Sequence, residues 1–60
     1  MRRIVRADFD GTEYGDEYVH LLTNDLVIMI DHSQNSDEWS FARNLRTQAV
    51  GWIPMHSVRS

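Results

Sequence analysis

Apolar and polar residues alternate from Ile4 to Asp10, with Val5, Ala7 and Phe9 on one side and Arg6, Asp8 and Asp10 on the other. A period of two predicts a half-buried strand. Gly11 to Glu17 (GTEYGDE) holds two glycines and three acids without periodicity of either kind, which predicts a loop with Tyr14 exposed near its tip. Val19 and Leu21 then alternate with Tyr18 and His20, as a second short strand or as the returning arm of the loop. Thr23-Asn24-Asp25 breaks the pattern. Asn24 adopts a left-handed backbone at lower cost than most residues, so a tight turn is expected there. Leu26 to Ile30 (LVIMI) is the most apolar run, rich in branched residues and too short for a helix to be preferred. It is expected to be the central and most buried strand.

Asp31 to Glu38 (DHSQNSDE) is entirely polar and turn-prone, hence a solvated loop. Trp39 to Leu45 follows as a strand, with Trp39 and Phe41 on one parity and Ser40 and Ala42 on the other. A turn within Asn44 to Gln48 returns the chain to Ala49 to Ile53, after which Pro54, lacking an amide hydrogen, stops ladder pairing. Met55-His56-Ser57 makes one turn of 3₁₀ helix, and Val58 is expected to start a last short strand. Roughly five short strands with turn signals between them predict an all-β domain, either a small barrel or two packed antiparallel sheets.

Sixty residues allow a single domain, 1–60, with its core within about residues 4–59. Such a chain buries only about 60% of the surface its unfolded form exposes. Net stability is then of order 3–9 kcal/mol, so most apolar side chains are needed for packing. The absence of cysteine excludes a disulfide framework and a thiolate zinc site and fits a cytoplasmic setting. No apolar run is long enough to span a membrane, and the opening MRRIVRADFD is too polar for a signal peptide. The expectation is a soluble domain, cut from a larger protein, with no membrane insertion.

Charge sharpens this picture through its distribution. Every acid lies between Asp8 and Glu38, every Arg lies outside that window, and the chain has no Lys; net charge is −3. Acidic loops converging in space would attract cationic partners and repel phosphate backbones, so nucleic acid is not an expected partner. His20, His32 and His56, with Asp31 nearby, show no pair at metal-ligand spacing on a common face. The adjacent His56 and Ser57 would point apart in a turn or strand and so make no catalytic triad. Neither a metal, a cofactor nor an enzymatic activity is expected.

The order of these segments resembles a Src homology 3 (SH3) domain over nearly the whole chain. The family's ALYDY-like strand is matched by Ala7-Asp8-Phe9-Asp10-Gly11, its ELSF-like arm by Tyr18-Val19-His20-Leu21, and the following Gly-Asp turn by Asn24-Asp25. Its WW-x-A-R segment appears as Trp39-Ser40-Phe41-Ala42-Arg43. Its G-aromatic-I-P ending appears as Gly51-Trp52-Ile53-Pro54, continued by Met55-His56-Ser57-Val58. The resemblance implies a five-stranded barrel whose loops flank a shallow groove for proline-rich segments in the polyproline II conformation, a preset backbone that reduces the entropy lost on binding. It implies groove roles for Phe9, Trp39 and Pro54, with His56 in place of a ligand-binding Asn. Two aromatic walls are missing, because Gly11 and Ser57 stand where the family has tyrosines. Losing two such contacts, at about 1–2 kcal/mol each, would take a micromolar binder toward millimolar. Tyr18 stands where the family places the acid that selects a ligand cation, and Asp16 and Glu17 are the adjacent substitutes.

The expected function is therefore a non-catalytic interaction module, of the adaptor or scaffold kind met in signalling. It would hold a basic, proline-containing peptide on Phe9, Trp39, Pro54 and His56, with Asp16, Glu17, Asp37 and Glu38 attracting its Arg or Lys. An alternative is a degenerate domain using a second surface, Tyr14, Tyr18 and Trp52, for a folded partner, its own parent chain or itself. A purely structural barrel is the third reading.

Overall fold

The computed structural model describes residues 1–59. Among them, four strands form one antiparallel sheet: β1 (Arg2–Ile4), β2 (Leu26–Ile30), β3 (Trp39–Asn44) and β4 (Val50–Pro54), in the order β1-β2-β3-β4. The register pairs Arg3 with Val27, Ile28 with Arg43 and Phe41 with Trp52. Residues 5–25 leave the sheet and fold back over its inner face. There Val5, Phe9, Val19 and Leu21 meet Val27, Ala42 and Ile53 in the core.

The strand expected over Ile4 to Asp10 is displaced. β1 ends at Ile4, and the next amides go to separate partners, Val5 to the Asp25 carbonyl at 2.8 Å and Arg6 to the Ser57 carbonyl at 2.6 Å. Divergent partners forbid a ladder. Phe9 and Leu21 alone bridge reciprocally, each amide donating to the other's carbonyl at 2.8–2.9 Å. The burial parity nonetheless survives, with Val5 and Phe9 inside. Tyr18 to Leu21 is the returning arm, with Val19 and Leu21 buried.

β2 has the expected bounds and an interior place in the sheet, but it is not the most buried strand. Only Val27 is fully enclosed, because Leu26, Ile28 and Ile30 face the outer side, whereas β4 buries Gly51, Ile53 and Pro54. On β3 the inner parity belongs to the small residues Ser40 and Ala42 and to Asn44, leaving Trp39 and Phe41 half-buried on the other face. Asn24 and Gln48 hold positive φ, 77° and 66°, at the two predicted turns. Met55–Ser57 forms the expected 3₁₀ turn. Val58 then lies in a turn rather than a strand, its amide returning to the Met55 carbonyl at 3.0 Å while its side chain enters the core.

One polar cluster is built into this interior. Asp25 is 7% exposed and accepts from Arg46 Nε at 2.7 Å, Arg46 Nη2 at 3.0 Å, Asn44 Nδ2 at 2.9 Å and the Leu22 amide at 2.9 Å. The Arg46 guanidinium, with the Leu22 amide and Asn44, holds the Asp25 carboxyl well below the usual carboxylate range against the opposing effect of burial. Asn44, fully buried, also donates to the His20 carbonyl and accepts from the Arg46 amide.

Candidate functional site

Three local devices bring separate parts of the chain to one end of the sheet. The first is the loop between β2 and β3. Asn35 donates to the Ile30 carbonyl at 3.0 Å and accepts from the Phe41 amide at 2.8 Å, tying the loop to both strands. Ser36 Oγ accepts from the Glu38 and Trp39 amides, each at 3.2 Å, and the Glu38 carbonyl takes the Met55 amide at 2.8 Å. Asp37 and Glu38 are thereby held, exposed, beside Trp39.

The second device is a 3₁₀ turn at Gly11–Glu13, N-capped by Asp10, whose carboxylate accepts from the Thr12 amide at 3.0 Å and from the Thr12 hydroxyl at 2.5 Å. These bonds, the hydroxyl first, hold the Asp10 carboxyl below its ordinary pKa. Gly11 is buried against the returning arm. A Cβ there would stand 2.8 Å from the Val19 carbonyl carbon, so no side chain fits without moving backbone. The Gly11 carbonyl accepts from the Tyr14 amide at 3.1 Å, closing the turn with Tyr14 at its end.

The third device joins the arm to β4. Trp52 donates to the Glu17 carbonyl at 2.8 Å and accepts from the Val19 amide at 3.0 Å, a parallel bridge flanking Tyr18. Gly51 permits it, because any Cβ would collide with the Glu17 carbonyl.

The rings that result form a connected cluster. Tyr14 lies 5.1 Å from Phe9, 5.6 Å from Trp39 and 5.4 Å from Tyr18, centroid to centroid, while Trp39 lies 6.0 Å from Phe9 and 5.4 Å from Tyr18. All are tilted or edge-to-face, the favourable arrangements for aromatic pairs. Trp52 packs differently, edge-on to Phe41 at 5.2 Å and to His32 at 4.9 Å.

Two clefts flank Trp39. The first, about 300 Å³, is bounded by Phe9, Tyr14, Trp39 and Pro54, with Asp37, Glu38, His56 and Arg59 around them. The second, about 310 Å³, is bounded by Glu17, Tyr18, Trp39 and Trp52, with Gln34 and Ser36. Of the residues singled out from sequence, Phe9, Asp37, Glu38, Trp39, Pro54 and His56 therefore meet at one cleft and Glu17 at its neighbour. Asp16 is exposed and lines neither. Tyr14, Tyr18 and Trp52 are not grouped apart from this site: the two tyrosines touch Trp39, and Trp52 forms a wall of the second cleft.

Two features escape a reading of the sequence. Arg59 reaches the first cleft, its Nη2 donating to the Asp37 carbonyl at 2.6 Å, although the two residues lie 22 positions apart. Ser57 is fully buried and lines neither cleft. Among the described residues, no group of three or more His, Asp or Glu is placed to hold a metal ion, and no helix is long and apolar enough to cross a membrane. The arrangement presents aromatic surfaces and carboxylates at two shallow, open clefts. No family model, curated protein or solved structure matches the chain.

Proposed function

We propose that this chain is a non-catalytic protein-interaction domain of the Src homology 3 type that binds a short, extended, basic and proline-containing segment across Trp39. The observation that carries this reading is the pair of adjoining clefts sharing the Trp39 indole, with carboxylates at both. An apolar, proline-sized group enters between Phe9, Trp39 and Pro54, and a ligand Arg or Lys is attracted by Glu17 at one side and by Asp37 and Glu38 at the other. A polyproline II segment suits such a surface because its backbone is already extended, so less conformational entropy is lost on docking. The His56 imidazole has a ring nitrogen to offer the ligand backbone.

The same reading takes the sheet and its arm as a distorted five-stranded barrel. The Phe9–Leu21 and Tyr18–Trp52 bridges support it, since they carry the arm from the sheet's inner face to the free edge of β4. A cytoplasmic adaptor or scaffold fits a cysteine-free module of this kind.

Titration of the ¹⁵N-labelled domain with an Arg-flanked proline-rich peptide tests the proposal. Amide shifts are expected at Trp39, at Asp37 and Glu38 and around Glu17, with Trp39→Ala removing them while core resonances stay dispersed. Shifts that avoid Trp39 and both acidic loops reject it.

A further inference from the structure

Tyr14 sits in the part of the chain that predicts a plain exposed loop, yet its ring is not free in solvent. It is 57% exposed and simultaneously touches Phe9, Trp39 and Tyr18. The contact with Phe9 is tilted by 43° and that with Trp39 by 62°, while Phe9 and Trp39 are themselves inclined by 69°. Three mutually inclined rings make a funnel rather than a flat platform, and Pro54 and His56 help to line the same cleft. Clefts walled by aromatic faces are the kind in which the prolines of an extended segment dock. On its far side Tyr14 meets Tyr18, so the two tyrosines and Trp39 form the saddle between the two clefts.

The local backbone explains why the ring stands there. Asp10 caps the 3₁₀ turn, the Gly11 carbonyl binds the Tyr14 amide, and the missing side chain at Gly11 lets the turn lie directly on the Val19 backbone. A side chain at position 11 would therefore push the turn that carries Tyr14 off the Val19 backbone.

We propose that Tyr14 is a specificity-determining wall of the first cleft, seated by the close approach at Gly11, and that it selects a proline in the bound segment. The proposal rests on the peptide-binding reading above and adds to it the wall whose absence the sequence suggests at Gly11. The lost contact is restored from three residues downstream, and proline binding is correspondingly less impaired.

The test is a double-mutant cycle on the full 60-residue chain, using the Arg-flanked proline-rich peptide and versions with each proline changed to Ala. Dissociation constants come from NMR shifts, with wild-type-like amide dispersion as the check on folding. Tyr14→Ala is expected to weaken binding of the parent peptide about tenfold, Tyr14→Phe by no more than about threefold because the ring is kept. For one proline, the losses from Tyr14→Ala and from the peptide substitution are expected to be far from additive, as for groups in contact. A Tyr14→Ala domain that binds as tightly as the wild type overturns the proposal while leaving the peptide-binding reading intact. So do equal losses for Ala and Phe, or additivity at every proline. A wild-type chain that binds none of the peptides overturns both.

Discussion

At the scale of single residues, Asp25 shows how the fold responds to acid. Its carboxyl is held low in the folded state by Arg46 first, so the associated stability is present above the unfolded value near 3.8 and is lost as pH falls through the folded value. Asp8 acts in the same direction, held low by the Thr23 amide at 2.6 Å and then by the Thr23 hydroxyl at 2.8 Å. The urea midpoint is expected to be flat from neutral pH to about pH 5 and to drop below about pH 4. Asp25→Asn should flatten that drop and cost about 1–2 kcal/mol at neutral pH, a modest figure because the Arg46 side of the pair is 48% exposed and screened. An acid limb identical in wild type and Asp25→Asn would show that other carboxylates govern it. None of this was legible beforehand. Asp25 and Arg46 are 21 positions apart, and it is the β2–β3 register, pairing Val27 with Asn44, that brings them together.

At the scale of elements, alternation along the chain reported burial faithfully and strand pairing less so. Val5 and Phe9 face the core as their period of two requires, yet they lie outside β1. Alternation needs only an extended backbone with one face covered, whereas a ladder needs one continuous partner. The arm has several: Asp25, Ser57 and Leu21. β2, β3, β4 and the 3₁₀ turn at Met55 were legible because each is bounded by turn residues and pairs with its sequence neighbour or closes on itself, although Pro54, expected to lie beyond the ladder, is the last residue of β4 and stands opposite Trp39. The attachment of the arm to β4 is the least visible element contact and among the most demanding. Gly51→Ala forces a methyl group against the Glu17 carbonyl, and a loss of about 1–3 kcal/mol is expected in urea denaturation. Amide exchange should quicken at Trp52 and Val19, whose bonds form the junction. A wild-type midpoint with unchanged exchange would refute this account of the contact.

At the scale of the whole molecule, the division of charge along the sequence is only partly preserved in space. Arg46 folds onto Asp25 and Arg59 enters the first cleft beside Asp37 and Glu38, so two of the cations segregated in the sequence return to the acidic side. Sequence position showed which loops carry the acids; it did not show which Arg residues the fold would set among them. The other acids remain largely exposed, and under the proposed function their pull on a basic peptide would be long-range and screened by salt. Raising ionic strength from about 50 to 500 mM is expected to weaken binding of the Arg-flanked peptide several-fold, chiefly through a slower on-rate. Affinity that is unchanged or rises with salt would count against steering by these carboxylates. The indole of Trp39, finally, bounds two separate recesses at once. Any shift of that ring forced by an occupant of one recess would alter the wall of the other. Whatever factor a group seated in the first imposes on affinity in the second is returned in equal measure. A ligand spanning both would be read as a single cooperative unit, its proline and its cation scored jointly rather than in turn.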